Sequence, residues 1–231
     1  MLESIAFIPD GNRRYAKKVG ISLAQSYALG TQKAWNVLEW LSKYPSITTG
    51  TFYTFSIKNF ERSKEELGIL FDIFEKQLMR VLSEKINENK GVRIKFIGHT
   101  NLFPKNLQEE MKKVEEKTSI YLDRTLNLAL GYDGQTEIID ATKKFAQDVS
   151  AGKIDANLLT PEIFNKYLYS DFKAPDLIVR TSNEQRLSGF LTYQSSYSEL
   201  AFIDKYWPEL TEKDVDKVVL DFEERERRFG K

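Results

Sequence analysis

Asp10-Gly11-Asn12-Arg13-Arg14 places a carboxylate, a glycine, an amide and two guanidiniums in consecutive positions. The apolar run Ile5-Ala6-Phe7-Ile8 and then Pro9 come just before it, and Tyr15-Ala16-Lys17-Lys18 after it reads as the first turns of a helix. The stretch is a buried strand, a tight turn and a helix start. A carboxylate past the C-terminal end of a strand, beside free N–H groups at a helix N-terminus, can hold a cation and a phosphate together. Arg13 or Arg14 would share the anion. The plainer reading of the same residues is a strand that ends in an ordinary Asp-Gly turn.

Two other stretches leave strands with anion-binding side chains. Arg180-Thr181-Ser182-Asn183-Glu184-Gln185-Arg186-Leu187-Ser188 carries two arginines and a hydroxyl. The planar donor fork of arginine matches phosphate oxygens, so Arg180, Arg186 and Ser188 could clamp a diphosphate. Alternatively this is a solvated loop whose arginines pair with Glu184. Ser56-Ile57-Lys58-Asn59-Phe60-Glu61-Arg62 offers Ser56, Asn59 and Arg62 to a second anion, or is a polar turn with an exposed base. Glu199 opens an apolar run. It is either an edge charge or a second oxygen ligand that faces Asp10 in a magnesium site. His99 follows Gly98 at a strand end and reads as structural.

The elements that must position these residues alternate along the chain. Strand-like runs cover 5–8, 51–56, 92–97, 126–130, 176–180 and 199–203, the fourth ended by Gly131. Helical periodicity covers 31–43, 64–87, 136–150, 160–169 and 212–228, with a further helix inside 103–121. Helices between apolar strands imply crossover connections, hence a mainly parallel sheet covered on both faces. Ligands of such sheets sit beyond the C-terminal strand ends, which brings Asp10, 56–62 and 180–188 to one rim. The 231 residues, without repeat or long linker, predict one α/β domain over 1–231.

Composition removes several chemistries. There is no cysteine and a single histidine, so thiol catalysis, zinc–thiolate sites and His-based triads are excluded. Any metal must take oxygen ligands, which favours magnesium. The 34 basic residues balance 34 acidic ones, which argues against a nucleic-acid partner bound through a broad basic surface. No run approaches the roughly 20 apolar residues of a spanning helix, and no signal-peptide pattern opens the chain. The sequence reads as that of a cytoplasmic protein.

Taken together, Asp10 to Arg14, Ser56 with Asn59 and Arg62, 180–188 followed by Phe190, Glu199, and the final Glu226-Arg227-Arg228-Phe229-Gly230 resemble the cis-prenyltransferases, the undecaprenyl diphosphate synthase-like enzymes. The resemblance spans nearly the whole chain. It implies a homodimer with a hydrophobic tunnel beside the parallel sheet. It implies magnesium-dependent joining of isopentenyl diphosphate to an allylic prenyl diphosphate, with a cis double bond formed and diphosphate released.

By that resemblance Asp10 is the essential carboxylate near Mg2+, with Glu199 helping to place the metal. Gly11, Asn12, Arg13 and Arg14 cradle the allylic diphosphate, and Ser56 stands beside them. Arg180, Arg186 and Ser188 bind isopentenyl diphosphate. Asn59 and Arg62 assist ionisation or proton removal. Arg228 and Gly230 reach across the dimer. The helices at 31–43 and 64–87, with Phe52 and Phe55, are expected to line the tunnel. Peripheral membrane contact would serve product release.

Two departures stand out. Thr31 follows Gly30 where many members have a histidine after a glycine, and the segment 21–29 is longer and lacks a common arginine. The allylic side is therefore expected to be remodelled, which leaves room for another donor or an irregular joining geometry. A non-catalytic partner subunit is the reading from another class, and retention of Asp10, Arg186 and Ser188 argues against it. A phosphate-ester hydrolase would use Asp10 but leave the arginine-rich loop idle.

Overall fold

The computed structural model describes residues 1–83, 91–169 and 172–225. Its strands are β1 (Ser4–Ile8), β2 (Thr49–Ser56), β3 (Val92–Ile97), β4 (Arg124–Tyr132), β5 (Leu177–Thr181) and β6 (Glu199–Ile203). They form one sheet in the order β3-β4-β2-β1-β5-β6, and every neighbouring pair is parallel. The expected α/β fold is therefore observed. Helices α1 (Asn12–Val19), α2 (Leu23–Leu41), α3 (Lys64–Ser83), α4 (Lys105–Thr118), α5 (Gly134–Ser150) and α6 (Pro161–Asn165) lie in the crossovers that parallel strands need, and α7 (Glu212–Glu224) follows the last strand.

All five residues of β1 are buried. Successive side chains alternate between faces, so Ile5 and Phe7 enter one core and Ala6 and Ile8 the other. A continuous apolar run is what a strand covered on both faces requires. The larger core lies between the sheet and α2, α3, α4 and α7, where Phe7 and Phe52 stack with ring centroids 5.1 Å apart. The smaller core gathers Tyr132, Ile178, Phe190 and Leu191.

Some boundaries differ from the sequence expectation for identifiable reasons. α2 starts at Leu23 rather than near 31 because Ser22 and Gln25 form a capping box. Ser22 Oγ accepts from the Gln25 N–H at 3.2 Å, and Gln25 Oε1 accepts from the Ser22 N–H at 2.9 Å. β4 runs through Gly131 to Tyr132, since a glycine at φ 57 stays in the ladder where pairing with β2 is irregular. α6 stops at Asn165, short of 169. The described parts of the helices expected at 64–87 and 212–228 end at Ser83 and Glu224. Among the described residues no helix is long and apolar enough to cross a membrane.

Candidate active site

β1 has β2 on one side and β5 on the other. The residues just past the ends of these three adjacent strands therefore meet, and they are the three stretches the sequence singled out. Ile8 pairs in register with Arg180, so Asp10, two residues further on, stands above the end of β5.

The turn at Asp10 is fixed by its neighbours. The Thr181 hydroxyl accepts from the Asp10 N–H at 2.9 Å and donates to the Asp10 carbonyl at 2.8 Å. The Trp207 N–H donates to the same carbonyl at 2.9 Å. Gly11 caps α1 at φ 104, and a Cβ there would lie 2.4 Å from Ser182 Oγ and 2.7 Å from Tyr206 Cδ1. Both facts demand glycine. No side chain caps α1, so its first N–H groups face the rim free for an anion.

One ion-pair network joins the rim. Arg180, only 4% exposed, donates from Nη2 to Asp10 Oδ2 at 2.8 Å and from Nη1 to Ser188 Oγ at 2.9 Å. Arg180 Nη1 also donates to the Arg186 carbonyl, which anchors the loop. Arg14 Nη2 stands 3.2 Å from Asp10 Oδ1, and Arg14 Nη1 donates to Glu184 Oε1 at 2.9 Å. Arg186 pairs with the other oxygen of Glu184. Partial burial pulls the Arg14 guanidinium down, but Asp10 and Glu184 more than offset that and raise it above its ordinary value. The plainer reading of 180–188 thus describes part of what is seen. Glu184 pairs with Arg186 and Arg14, two exposed cations, while Arg180 is buried against Asp10.

Ser182, Asn183 and Ser188 hold positive φ values of 81, 54 and 52 in this loop. Non-glycine residues in that region are strained, and strain of this kind concentrates at ligand clamps. Arg180 Nε and Ser182 Oγ are buried without a hydrogen-bond partner.

A second polar group flanks the first. Arg62 Nη1 donates to the Tyr27 hydroxyl at 3.0 Å and lies 3.1 Å from Glu66 Oε1. The Tyr27 hydroxyl donates to the same Glu66 oxygen at 2.5 Å. Burial first, then the Glu66 carboxylate, holds the Tyr27 phenol above its ordinary range. Arg13 Nε is 3.8 Å from Glu66 Oε1, with 63% of its side chain exposed. Asn59 Oδ1 accepts from the Ser56 N–H at 3.0 Å and so shapes the exit from β2.

Tyr27 and Glu66 are site residues that sequence reasoning missed. Two signals were there to find them. The Ser22-x-x-Gln25 capping box extends α2 over Tyr27, and Glu66 follows Arg62 at helical spacing.

Below this group a cavity of about 270 Å³ opens between α2, α3 and the sheet. Pro9, Asn12, Gly30, Asn59 and Arg62 are among its lining residues, and Pro9 and Asn59 follow the C-terminal ends of β1 and β2. Phe52, Phe55, Leu70, Phe74, Leu78 and Val81 line it as well, together with Ile94 of β3 and Met111 and Val114 of α4. This is the expected tunnel, with the expected helices on its walls. Thr31 lines it as well, with its hydroxyl bonded to the Tyr27 carbonyl at 2.9 Å.

Glu199 is not brought to Asp10 within the chain. It pairs in register with Leu177, which pairs with Ile5, so it lies level with the start of β1. Asp10 is five residues further along, roughly 16 Å up the strand direction. The Glu199 carboxylate holds Arg225 Nη1 at 2.7 Å instead. His99 bonds Asp140 Oδ2 and Tyr169 Oη at 2.9 and 2.6 Å, outside this site. Arg228 and Gly230 lie outside the described residues.

The donor set suits a cation that arrives with its ligands. Among the described residues no three His, Asp or Glu side chains cluster as a metal cage. Asp10 offers hard oxygen atoms beside an anion cradle. Magnesium is commonly held that way, by one or two carboxylates with water and substrate phosphates completing the octahedron.

A family model for undecaprenyl diphosphate synthase matches residues 8–230. A tritrans,polycis-undecaprenyl-diphosphate synthase (geranylgeranyl-diphosphate specific) of Methanocaldococcus jannaschii is 43% identical over 230 residues, which cover 98% of this chain and 82% of that protein. The protein of the same name from Pyrobaculum aerophilum is 40% identical, with 98% and 95% covered. The crystal structure of lavandulyl diphosphate synthase from Lavandula x intermedia, in complex with dimethylallyl diphosphate, superposes with a TM-score of 0.94 at 27% identity. That alignment covers 100% of this chain and 98% of the other.

Proposed function

We propose a function from one premise: the chain belongs to the undecaprenyl diphosphate synthase family, the cis-prenyltransferases. It is a prenyltransferase of the polyprenyl diphosphate synthase type. In our reading it adds isopentenyl diphosphate, with cis geometry and repeatedly, to an allylic prenyl diphosphate. The allylic starter is geranylgeranyl diphosphate, and the product has about the undecaprenyl length that the relatives' names give. The observation that carries this reading is the junction of Asp10, Arg14 and Arg180 with the apolar cavity under α2 and α3. A charged rim above a greasy tunnel fits a substrate with a diphosphate head and a hydrocarbon tail.

The chemistry assigns work to each part. The allylic C–O bond breaks with its electron pair leaving on diphosphate. The double bond of isopentenyl diphosphate supplies the pair for the new C–C bond, and loss of a proton from its C2 restores an alkene. Arg13, Arg14 and the N–H groups from Gly11 and Asn12 onward hold the allylic diphosphate and meet the charge that grows on it. Asp10 would hold magnesium there, which when bound supplies further neutralisation of the leaving group. Arg180, Arg186 and Ser188 fix isopentenyl diphosphate, and Glu184 must then give up its hold on Arg186 and Arg14. Asn59, Arg62 and Ser56, at the exit of β2, stand beside the reacting carbons and the proton that leaves. The walls of the tunnel keep water from the allylic cation.

A homodimer is part of the proposal, with Arg228 and Gly230 reaching the partner's site. Any contribution of Glu199 to a metal must likewise cross between copies, given its place at the far end of β6. The protein would work in the cytoplasm, with peripheral membrane contact at product release. Repeated cis addition is preferred to irregular joining because the relatives at 40% identity and above carry undecaprenyl synthase names, while the lavandulyl enzyme stands at 27%. The test is an assay of purified protein with magnesium, isopentenyl diphosphate and geranylgeranyl diphosphate. Polycis products longer than the starter are expected. No product with this starter or with shorter and longer ones would overturn the reading.

A further inference from the structure

Glu66 is a carboxylate in a buried place. It is 6% exposed, in the first turn of α3. Three donors converge on its Oε1. The Tyr27 hydroxyl donates at 2.5 Å, Arg62 Nη1 lies at 3.1 Å and Arg13 Nε at 3.8 Å. A buried carboxylate needs such partners, and taking one away leaves uncompensated charge.

Two of the three donors have another task. The prenyltransferase reading gives Arg13 to the allylic diphosphate and Arg62 to the reacting end of the substrates. Glu66 and the substrate therefore draw on the same two cations. Arg13 can swing, since 63% of its side chain is exposed and its contact is long. Arg62 is held closer, with its Nη1 shared between the Tyr27 and Glu66 oxygens. With arginines as its only partners, Glu66 would resist giving them up, because a buried anion would be stripped of its charge partners.

Tyr27 is the partner that a diphosphate leaves in place. Its side chain is fixed in α2, only 8% of the residue is exposed, and its hydroxyl reaches across to α3. Burial first, then the bond to Glu66, keeps the proton on the phenol, so the hydroxyl stays a donor. A neutral phenol also carries no charge for a diphosphate to attract.

We propose that Tyr27 is a positioning residue whose hydroxyl holds the Glu66 carboxylate so that Arg13 and Arg62 can turn from Glu66 to the incoming allylic diphosphate. The inference rests on the prenyltransferase reading and adds a step of substrate capture to it. In the empty site Glu66 keeps both guanidiniums close at hand. On binding, the cations pass to the substrate, and the Tyr27–Glu66 bond remains to satisfy the carboxylate.

The test is calorimetric binding, with magnesium, of inorganic diphosphate and of geranylgeranyl diphosphate to the wild type and three variants. Tyr27→Phe keeps the ring and removes the hydroxyl. Both ligands should bind about tenfold more weakly, as for loss of one hydrogen bond to a charged group. Glu66→Gln removes the charge that grips the arginines, and should bind both ligands at least as tightly as the wild type. In the double variant Tyr27→Phe with Glu66→Gln, affinity should return to within about threefold of the wild type, since no buried charge is left to satisfy. Steady-state kinetics of Tyr27→Phe should place the loss in KM for the allylic substrate, with KM for isopentenyl diphosphate nearly unchanged. Wild-type affinity in Tyr27→Phe would overturn the proposal, as would a loss that Glu66→Gln does not restore. A loss confined to geranylgeranyl diphosphate would also overturn it, by assigning Tyr27 to the apolar wall, and so would weaker binding in Glu66→Gln alone. A wild type that binds no diphosphate and forms no product from any starter would instead count against the underlying activity.

Discussion

The rim around Asp10 and the tunnel under α2 and α3 meet at Asn12, yet different physics holds each together. The rim is a network of few, directional contacts. Arg180 alone ties together Asp10, Ser188 and the Arg186 carbonyl, and Glu184 links Arg14 to Arg186. Removing one member leaves its partners with uncompensated charge, so losses there are large and not additive. The tunnel is a surface made of many interchangeable apolar contacts. Changing one side chain alters its shape by a little and its solvation hardly at all. The rim should therefore govern whether and how fast a substrate reacts, and the tunnel which product leaves.

Substitutions that respect this division sharpen the comparison. The largest effect is expected from Asp10→Asn, which keeps an oxygen for Arg180 but loses the charge. Turnover should fall by about 10³-fold or more, as for loss of a preorganised electrostatic group, with a normal circular-dichroism spectrum. Full activity would remove Asp10 from the chemistry. Arg186→Ala comes next. Losing a charge-assisted clamp of about 1.5–3 kcal/mol should raise KM for isopentenyl diphosphate by about 10- to 100-fold. Dependence on the allylic substrate should stay nearly the same, and steady-state kinetics with each substrate varied in turn would show it. Smallest in rate is Phe74→Ala in the tunnel wall. The first addition should be slowed less than about threefold, since the ring is uncharged and packs against Phe55 and Phe103 in the cavity wall. The product ladder should lengthen as space opens beside Phe55 and Phe103. An unchanged ladder with a collapsed rate would reverse the division of labour.

The same contrast explains what could be read from the sequence. Asp10 to Arg14 was legible because strand, turn and helix start are contiguous, so local rules place the carboxylate beside the free N–H groups. The loop 180–188 was legible through the general rule for parallel sheets, which puts ligands at C-terminal strand ends. The same rule sets Glu199 apart from that rim within one chain. It opens a strand while Asp10 follows one, and in an all-parallel sheet these are opposite ends. Tyr27 is hard to place from sequence because Ser22, Gln25 and Ser26 break the apolar period ahead of it, and only the capping box at Ser22 and Gln25 extends α2 over it. In the sequence Glu66 is one of two acidic residues in the first turn of α3, and nothing local marks it as buried. Its burial depends on Arg62 and Tyr27 arriving from two other segments. The tunnel was predictable as helices and strands, but not as a wall. Which apolar residues face a cavity, and which simply pack, depends on how α2 and α3 splay, and no periodicity encodes that.

The central claim is that the rim performs the ionisation and the tunnel does not. A rapid-quench experiment on Asp10→Asn, with magnesium and both diphosphates, reads the first-addition rate and the product length in one time course. The account predicts a first addition slowed by about 10³-fold, with the few chains that form reaching the wild-type length. A normal first-addition rate with a changed length would contradict it.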